Sequence, residues 1–332
     1  MKKIFVLLCA AVLFYSSQAE PAQAHPRSIV VFDGFWLGSV ADGKWKSAED
    51  FRADMAAPER QGWVWAQWEA EYPFPYPRGG ERYAIYLSTG YHCAAQGEGL
   101  HGDHRGEFGD ELDKIEMHAG DEGKDAALKK TAYLGLSGIN FDEDGEQDKN
   151  RTFPREAAAL SAKNAAYEKI MKEYLARNGL SDTIVNIMQL FRVDLEGDGV
   201  DEAVIYAQNV VDPQKYFEFL KQDKPMEEIK REIKTSAEPG MYSVLLLRKI
   251  VNGKVREIPL VSFIAQKGTA PGDGSIPTVQ RVYRFADLNG DGTLEIIFGS
   301  AHGEGFDYNA IEVLRDGSVE TVLSNAEVMK TQ

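Results

Sequence analysis

Asp287-Leu288-Asn289-Gly290-Asp291-Gly292-Thr293-Leu294-Glu295 places oxygen-bearing side chains at positions 1, 3, 5 and 9 of a nonapeptide, with glycine at position 6. A hard cation such as Ca²⁺ takes six to eight oxygens at about 2.3–2.6 Å, and alternate positions of a tight loop can point inward together. Gly292 admits the positive φ that such a loop needs. The main-chain carbonyl of Thr293 would supply a ligand at position 7. Without a cation the arrangement is unfavourable, because two carboxylates about 4 Å apart repel by roughly 4 kcal/mol at an effective dielectric near 20. The expected metal ligands are therefore Asp287, Asn289, Asp291, Thr293 and Glu295.

A second copy lies upstream, Asp194-Leu195-Glu196-Gly197-Asp198-Gly199-Val200-Asp201-Glu202. It keeps positions 1, 5, 6 and 9, so Asp194, Asp198 and Glu202 are expected ligands, with the carbonyl of Val200 at position 7. Glu196 at position 3 completes the expected ligand set, although it is one methylene longer than the usual Asp or Asn. An EF-hand needs a bidentate Glu at position 12 and helices on both sides. Position 12 is Ile205 in one copy and Phe298 in the other, and the flanking segments read as strands. Each site is thus expected in a strand–loop–strand setting. The alternative for both is an acidic hairpin turn, since Asp-Gly is a strong turn former.

The two nonapeptides and their flanking strands, within residues 184–324, resemble the calcium loops of FG-GAP or integrin-α-type repeats (VCBS-like), which occur in β-propeller blades and in many secreted bacterial repeat proteins. The resemblance implies Ca²⁺ as the cofactor and a propeller-like fold. The family pattern usually ends in Asp, whereas both copies here end in Glu.

Working outward, two repeat units emerge, 184–263 and 278–324. Each reads as strand, acidic loop, strand, strand, Asx-Gly turn, strand, with Asn252-Gly253 and Asp316-Gly317 as the turns. That is the layout of an antiparallel four-stranded blade. The first unit carries a helical insertion at 212–236. The fold class expected is mainly β with helical insertions, built as blade-like meanders in a small or irregular β-propeller, the alternative being a β-sandwich. Upstream, a helix is expected from Pro154 at its first turn to Asn178, closed by Gly179, with Tyr167, Ile170, Met171, Tyr174 and Leu175 as its apolar stripe. The acidic stretch 140–152 marks a domain boundary, giving regions 25–139 and 153–332. Within it Asn140 to Asp148 has similar spacing, but it reads as a solvated linker.

Residues 25–139 read as β-rich, with strands at Ser28–Phe32, Phe35–Val40 and Glu81–Leu87 and a capped helix after Ser47. All five tryptophans fall between Trp36 and Trp68, followed by Tyr72-Pro73-Phe74-Pro75-Tyr76-Pro77. The segment 63–76 reads either as a glycan or peptide platform or as an aromatic core under an extended strap. His92, His101 and His104 lie close in sequence, and imidazole is a favoured zinc and copper ligand. Asp103 or Glu107 stands near as a base, which would make a metal-dependent hydrolase. The spacing matches no closed zinc motif, and a solvated loop is the plainer reading. His302 and Glu304 follow the second loop closely and would line a cleft in that scheme.

The chain of 332 residues is 43% hydrophobic, enough for a real core. Lys2 and Lys3, the apolar run Ile4 to Tyr15 and two small-x-small sites read as a secretory signal peptide over residues 1–24. Export to a periplasm or beyond the cell follows from that reading. Cleavage after Ala19 removes two lysines and no acid, taking the formal charge from −15 to −17. Such a surface repels nucleic acid, so an unidentified protein or glycan is the expected partner. No later segment is long and apolar enough for a transmembrane helix. Beyond the signal peptide Cys93 stands alone, so calcium takes the place of a disulfide cross-link. The chemistry expected is a calcium-stabilised module without catalysis, because the oxygen ligands are consumed by the cation and no nucleophile–base pair is evident.

Overall fold

The computed structural model describes residues 27–57, 72–87, 90–100, 115–137, 152–210, 238–266, 278–302 and 305–328. The signal-peptide segment, Trp63 and Trp68, His101 and His104, the Asn140–Asp148 stretch and the 212–236 insertion lie outside them.

The first sheet has seven strands: β1 (Ser28–Phe32), β2 (Phe35–Ala41), β3 (Lys44–Ser47), β4 (Arg82–Leu87), β5 (Gly90–Gly97), β6 (Met117–His118) and β7 (Leu134–Ser137). Their order is β3-β2-β1-β7-β4-β5-β6, with antiparallel pairing throughout. Residues 28–41 are buried on both sides of the strand, as the apolar runs Ile-Val-Val-Phe and Phe-Trp-Leu require. At Gly38, φ is +143° and an added Cβ would lie 2.3 Å from the Lys46 carbonyl, so the close approach of β3 demands glycine. Helix α1 (Ala48–Ala56) follows directly, with the capping box expected at Ser47 and Asp50. Helix α2 (Glu122–Leu128) starts at an Asp121 cap.

The C-terminal half supplies two further sheets. β8 (Ala158–Ala159), β9 (Ile187–Val193), β10 (Glu202–Gln208), β11 (Tyr242–Val251) and β12 (Lys254–Ile264) form a five-stranded sheet in the order β12-β11-β10-β9-β8. β13 (Val279–Ala286), β14 (Glu295–His302), β15 (Gly305–Val313) and β16 (Val319–Val328) form a four-stranded meander. Each meander carries one acidic nonapeptide between its strands, and at the Asn252-Gly253 turn between β11 and β12 both residues take positive φ.

Helix α3 (Ala165–Arg177) begins eleven residues after the expected start at Pro154. Asn164 caps it by accepting from Ala166 N, while residues 158–159 instead pair with β9. The apolar stripe and the Gly179 stop are as expected: Met171, Tyr174 and Leu175 are buried, Tyr167 and Ile170 half-buried, and Gly179 has φ +91°.

The layers stack face to face. α1 with Tyr72 and Tyr76 covers one face of the seven-stranded sheet. The other face, through Val30, Phe32, Leu37, Tyr86 and Leu136, meets Ile297, Tyr308, Ala310 and Leu323 of the four-stranded sheet. That sheet's opposite face, Phe285, Ile296 and Phe298, packs on Val193, Val204, Leu245 and Leu247 of the five-stranded one. α3 closes the far side. The fold is mainly β and antiparallel, and no sheet closes on itself among the described residues. Face-to-face packing of open sheets fits the sandwich alternative. The N-terminal half contributes one broad sheet to the stack.

Candidate metal centre

The second loop hangs between β13 and β14, pinned at both ends by leucines. Leu288 is fully buried toward the seven-stranded sheet and Leu294 toward the five-stranded one. The loop curls around the Asp287 carboxylate: Oδ1 accepts from Gly290 N at 2.6 Å and Oδ2 from Gly292 N at 2.8 Å. Gly292, at φ +88°, turns its N–H inward as a residue with a Cβ would not. Asn289 Oδ1 accepts from Asp291 N at 2.9 Å, and Asp291 Oδ1 from Thr293 N at 2.7 Å. Glu295 reaches back under the loop, where its Oε2 accepts from Leu288 N at 2.7 Å.

The other Glu295 oxygen, Oε1, is buried without a hydrogen-bond partner. Burial holds the Glu295 carboxyl well above its ordinary range, and the negative charges of Asp287, Asp291 and Glu312 add to this against the Leu288 N–H. Asp287 is likewise raised, by burial first, with the Gly292 and Gly290 amides opposing. Glu312 on β15 is raised by burial and by Asp291. A buried carboxylate oxygen surrounded by acids and lacking a donor costs free energy until a proton or a cation meets it. The residues of this loop therefore fit an oxygen-coordinated divalent ion.

The first loop, between β9 and β10, repeats the same local bonds. Asp194 Oδ1 accepts from Gly197 N at 2.7 Å and Asp198 N at 3.1 Å, and its Oδ2 from Gly199 N at 3.0 Å. Asp198 Oδ1 accepts from Val200 N, and Glu202 Oε2 from Leu195 N at 2.9 Å. Two cations distinguish it: Arg155, with Nε 4.0 Å from Asp194 Oδ2, and a lysine. Lys249 on β11 is fully buried, with Nζ 2.5 Å from Glu196 Oε2 and 3.7 Å from Glu202 Oε1. Burial raises the Glu202 carboxyl, while the Leu195 amide and Lys249 oppose it.

The two loops lie side by side. Leu294 N donates to Leu195 O at 2.8 Å. Arg155 spans both: Nε donates to Asp194 O at 2.6 Å, and Nη2 to Leu195 O at 3.0 Å and Gly292 O at 2.6 Å. Asp287 N donates to Thr152 O at 2.9 Å, so the segment 152–155 straps the loop pair. The sequence pattern placed Pro154 in a helix and passed over Arg155, because contacts to carbonyls distant in the chain leave no periodic signal.

Elsewhere, Glu98, Glu116 and His118 bring their ligand atoms within 4.8 Å of one another at the β5–β6 edge. His118 Nε2 lies 3.1 Å from Glu98 Oε1, a hydrogen-bond distance between largely exposed side chains, and exposed acidic groups gather without a metal. Of the histidines read from the sequence, His92 is on β5, its Nε2 buried without a partner. Tyr72 and Tyr76 of the aromatic segment pack edge-on or tilted against Phe51 in the core, which is the strap reading for those two rings. No helix among the described residues is long and apolar enough to cross a membrane. No family model, no curated protein and no solved structure matches this chain.

Proposed function

We propose that this chain is an exported β-repeat protein that binds calcium in the second loop and serves a binding or structural role without catalysis, toward a protein or glycan partner. The observation that carries the reading is the buried, donorless Oε1 of Glu295 beneath a loop of acidic and amide oxygens. Asp287, Asn289, Asp291 and Glu295, with the Thr293 carbonyl, are the ligand set, and the cation would neutralise the acids that now raise one another's pKa. The repetition of the loop's hydrogen bonds in two blade-like meanders supports the FG-GAP-type resemblance.

Thermal unfolding of the purified chain in EDTA and then in millimolar calcium tests the reading. Extracellular calcium modules have dissociation constants near 10⁻⁴–10⁻³ M, and at ten times that constant one site stabilises by about 1.4 kcal/mol. The midpoint is expected to rise by roughly 3 °C or more, and Asp287→Ala should abolish the rise. Equal midpoints in chelator and calcium would leave the loops as acidic turns.

A further inference from the structure

The two loops share the amide bonds to their position-1 and position-9 carboxylates, yet their surroundings differ: Arg155 Nε lies 4.0 Å from Asp194 Oδ2 in the first, and the strand residue facing the position-9 glutamate changes sign between them. β10 pairs with β11 through Ala203↔Arg248, which sets Glu202 opposite Lys249 at the next step. β14 pairs with β15 through Ile296↔Ile311, which sets Glu295 opposite Glu312. The position-9 glutamate of the first loop thus faces an ammonium, and that of the second faces a carboxylate.

We propose that Lys249 is a tethered cation that occupies the first loop in place of a metal, so that the chain takes one calcium, at the second loop, with Glu312 as an additional acidic residue of that site. The inference rests on the calcium reading of the second loop and adds which loop is loaded and why.

Three observations carry it. Lys249 is wholly buried, and a buried ammonium needs counter-charges; its Nζ finds them at 2.5 Å from Glu196 and 3.7 Å from Glu202. Those are the position-3 and position-9 side chains, two of the groups a cation in the loop would need. The length of Glu196, out of keeping with a position-3 ligand, is explained: the extra methylene carries its carboxylate to Lys249. In the second loop the shorter Asn289 stays within the loop, bonded to Asp291, and the partner-strand residue adds negative charge. A divalent ion entering the first loop would have to displace a buried ammonium or approach it against charge repulsion.

The test is calcium binding to the purified chain by equilibrium dialysis and calorimetry, with circular dichroism as the folding control. The native chain is expected to bind one equivalent, lost in Asp287→Ala and kept in Asp194→Ala. Lys249→Gln is expected to gain a second equivalent, and Glu312→Lys to weaken the native one by more than about tenfold. Two equivalents in the native chain, or loss of its single equivalent in Asp194→Ala, overturns the inference while leaving calcium binding intact. One equivalent in both the native chain and a folded Lys249→Gln also overturns it. No binding to the native chain but one equivalent in Lys249→Gln sinks the second-loop reading and keeps the tethered lysine. If Lys249→Gln does not fold, the Asp194→Ala and Asp287→Ala pair alone decides which loop is loaded.

Discussion

At the scale of single residues, Glu295 is a buried carboxyl whose charge nothing in the described residues offsets beyond the Leu288 amide. Its folded carboxyl holds a proton far more tightly than the ordinary value of 4.5, because it is fully buried beside other acids. The folded chain then binds more protons than the unfolded one above that ordinary value. Stability must fall as pH rises from there through the raised folded-state pKa. Asp287, Glu202 and Glu312 are shifted in the same direction and add to the slope. In EDTA the unfolding midpoint should drop as pH rises above the ordinary carboxyl value of 4.5, and Glu295→Gln should flatten much of that drop while eliminating the calcium response. A midpoint in chelator that holds steady or climbs over this range would contradict the burial of an uncompensated carboxyl.

At the scale of elements, local chemistry fixes boundaries where a side chain meets its own neighbours. Ser47 Oγ accepts from Asp50 N at 3.0 Å and Asp50 Oδ2 accepts from Ser47 N at 3.3 Å, which ends β3 and starts α1 in a single residue. Ser47→Ala should cost about 1 kcal/mol in urea unfolding, and Ser47→Thr much less. An unchanged midpoint for the alanine variant would mean that packing of Phe51 alone holds the helix. The same logic runs in the loops. Asp194 and Asp287 each organise a whole turn by accepting amides from positions 4 and 6, so they shape the loop before any ion arrives. Removing either carboxylate therefore loosens the turn as well as the site.

For the whole molecule, the stack depends on what crosses between sheets. The apolar faces supply most of the free energy, through buried clusters on both sides of the four-stranded sheet. The loop ends are joined by Arg155, whose fork reaches the carbonyls of Asp194, Leu195 and Gly292. Charge-assisted hydrogen bonds of this kind contribute about 1.5–3 kcal/mol each before losses to solvent. Arg155→Met should destabilise by about 2–4 kcal/mol in denaturant unfolding. Arg155→Lys should rescue little of this, since a lysine lacks the planar fork. It should also reduce the calcium-induced rise in midpoint, because the Gly292 end of the metal loop is tied to the clamp. Full rescue by lysine would assign Arg155 a charge role alone.

The sequence by itself determined β1, β2, β4 and the strands of the two meanders, the Asx-Gly turns, the helix stripe and both nonapeptides, because each is written in contiguous residues with a fixed period or a fixed turn chemistry; β5 to β8 carry no such signal. It also paired β11 with β12 and β15 with β16, whose Asx-Gly turns leave adjacent strands no other partner, whereas β10 meets β11 only after the long connection 209–241. The tertiary structure decided what depends on distant residues. It set the start of α3, where Ala158 and Ala159 extend a sheet edge in place of the expected helix. It joined the N-terminal strands into one sheet by bringing β7 between β1 and β4. It set Arg155 across both loops, and it brought a lysine to one glutamate and a glutamate to the other. Two loops that share six of nine residues end in different electrostatic surroundings because a facing charge sits on a neighbouring strand, 47 residues away in the first unit and 17 in the second (249 − 202 and 312 − 295).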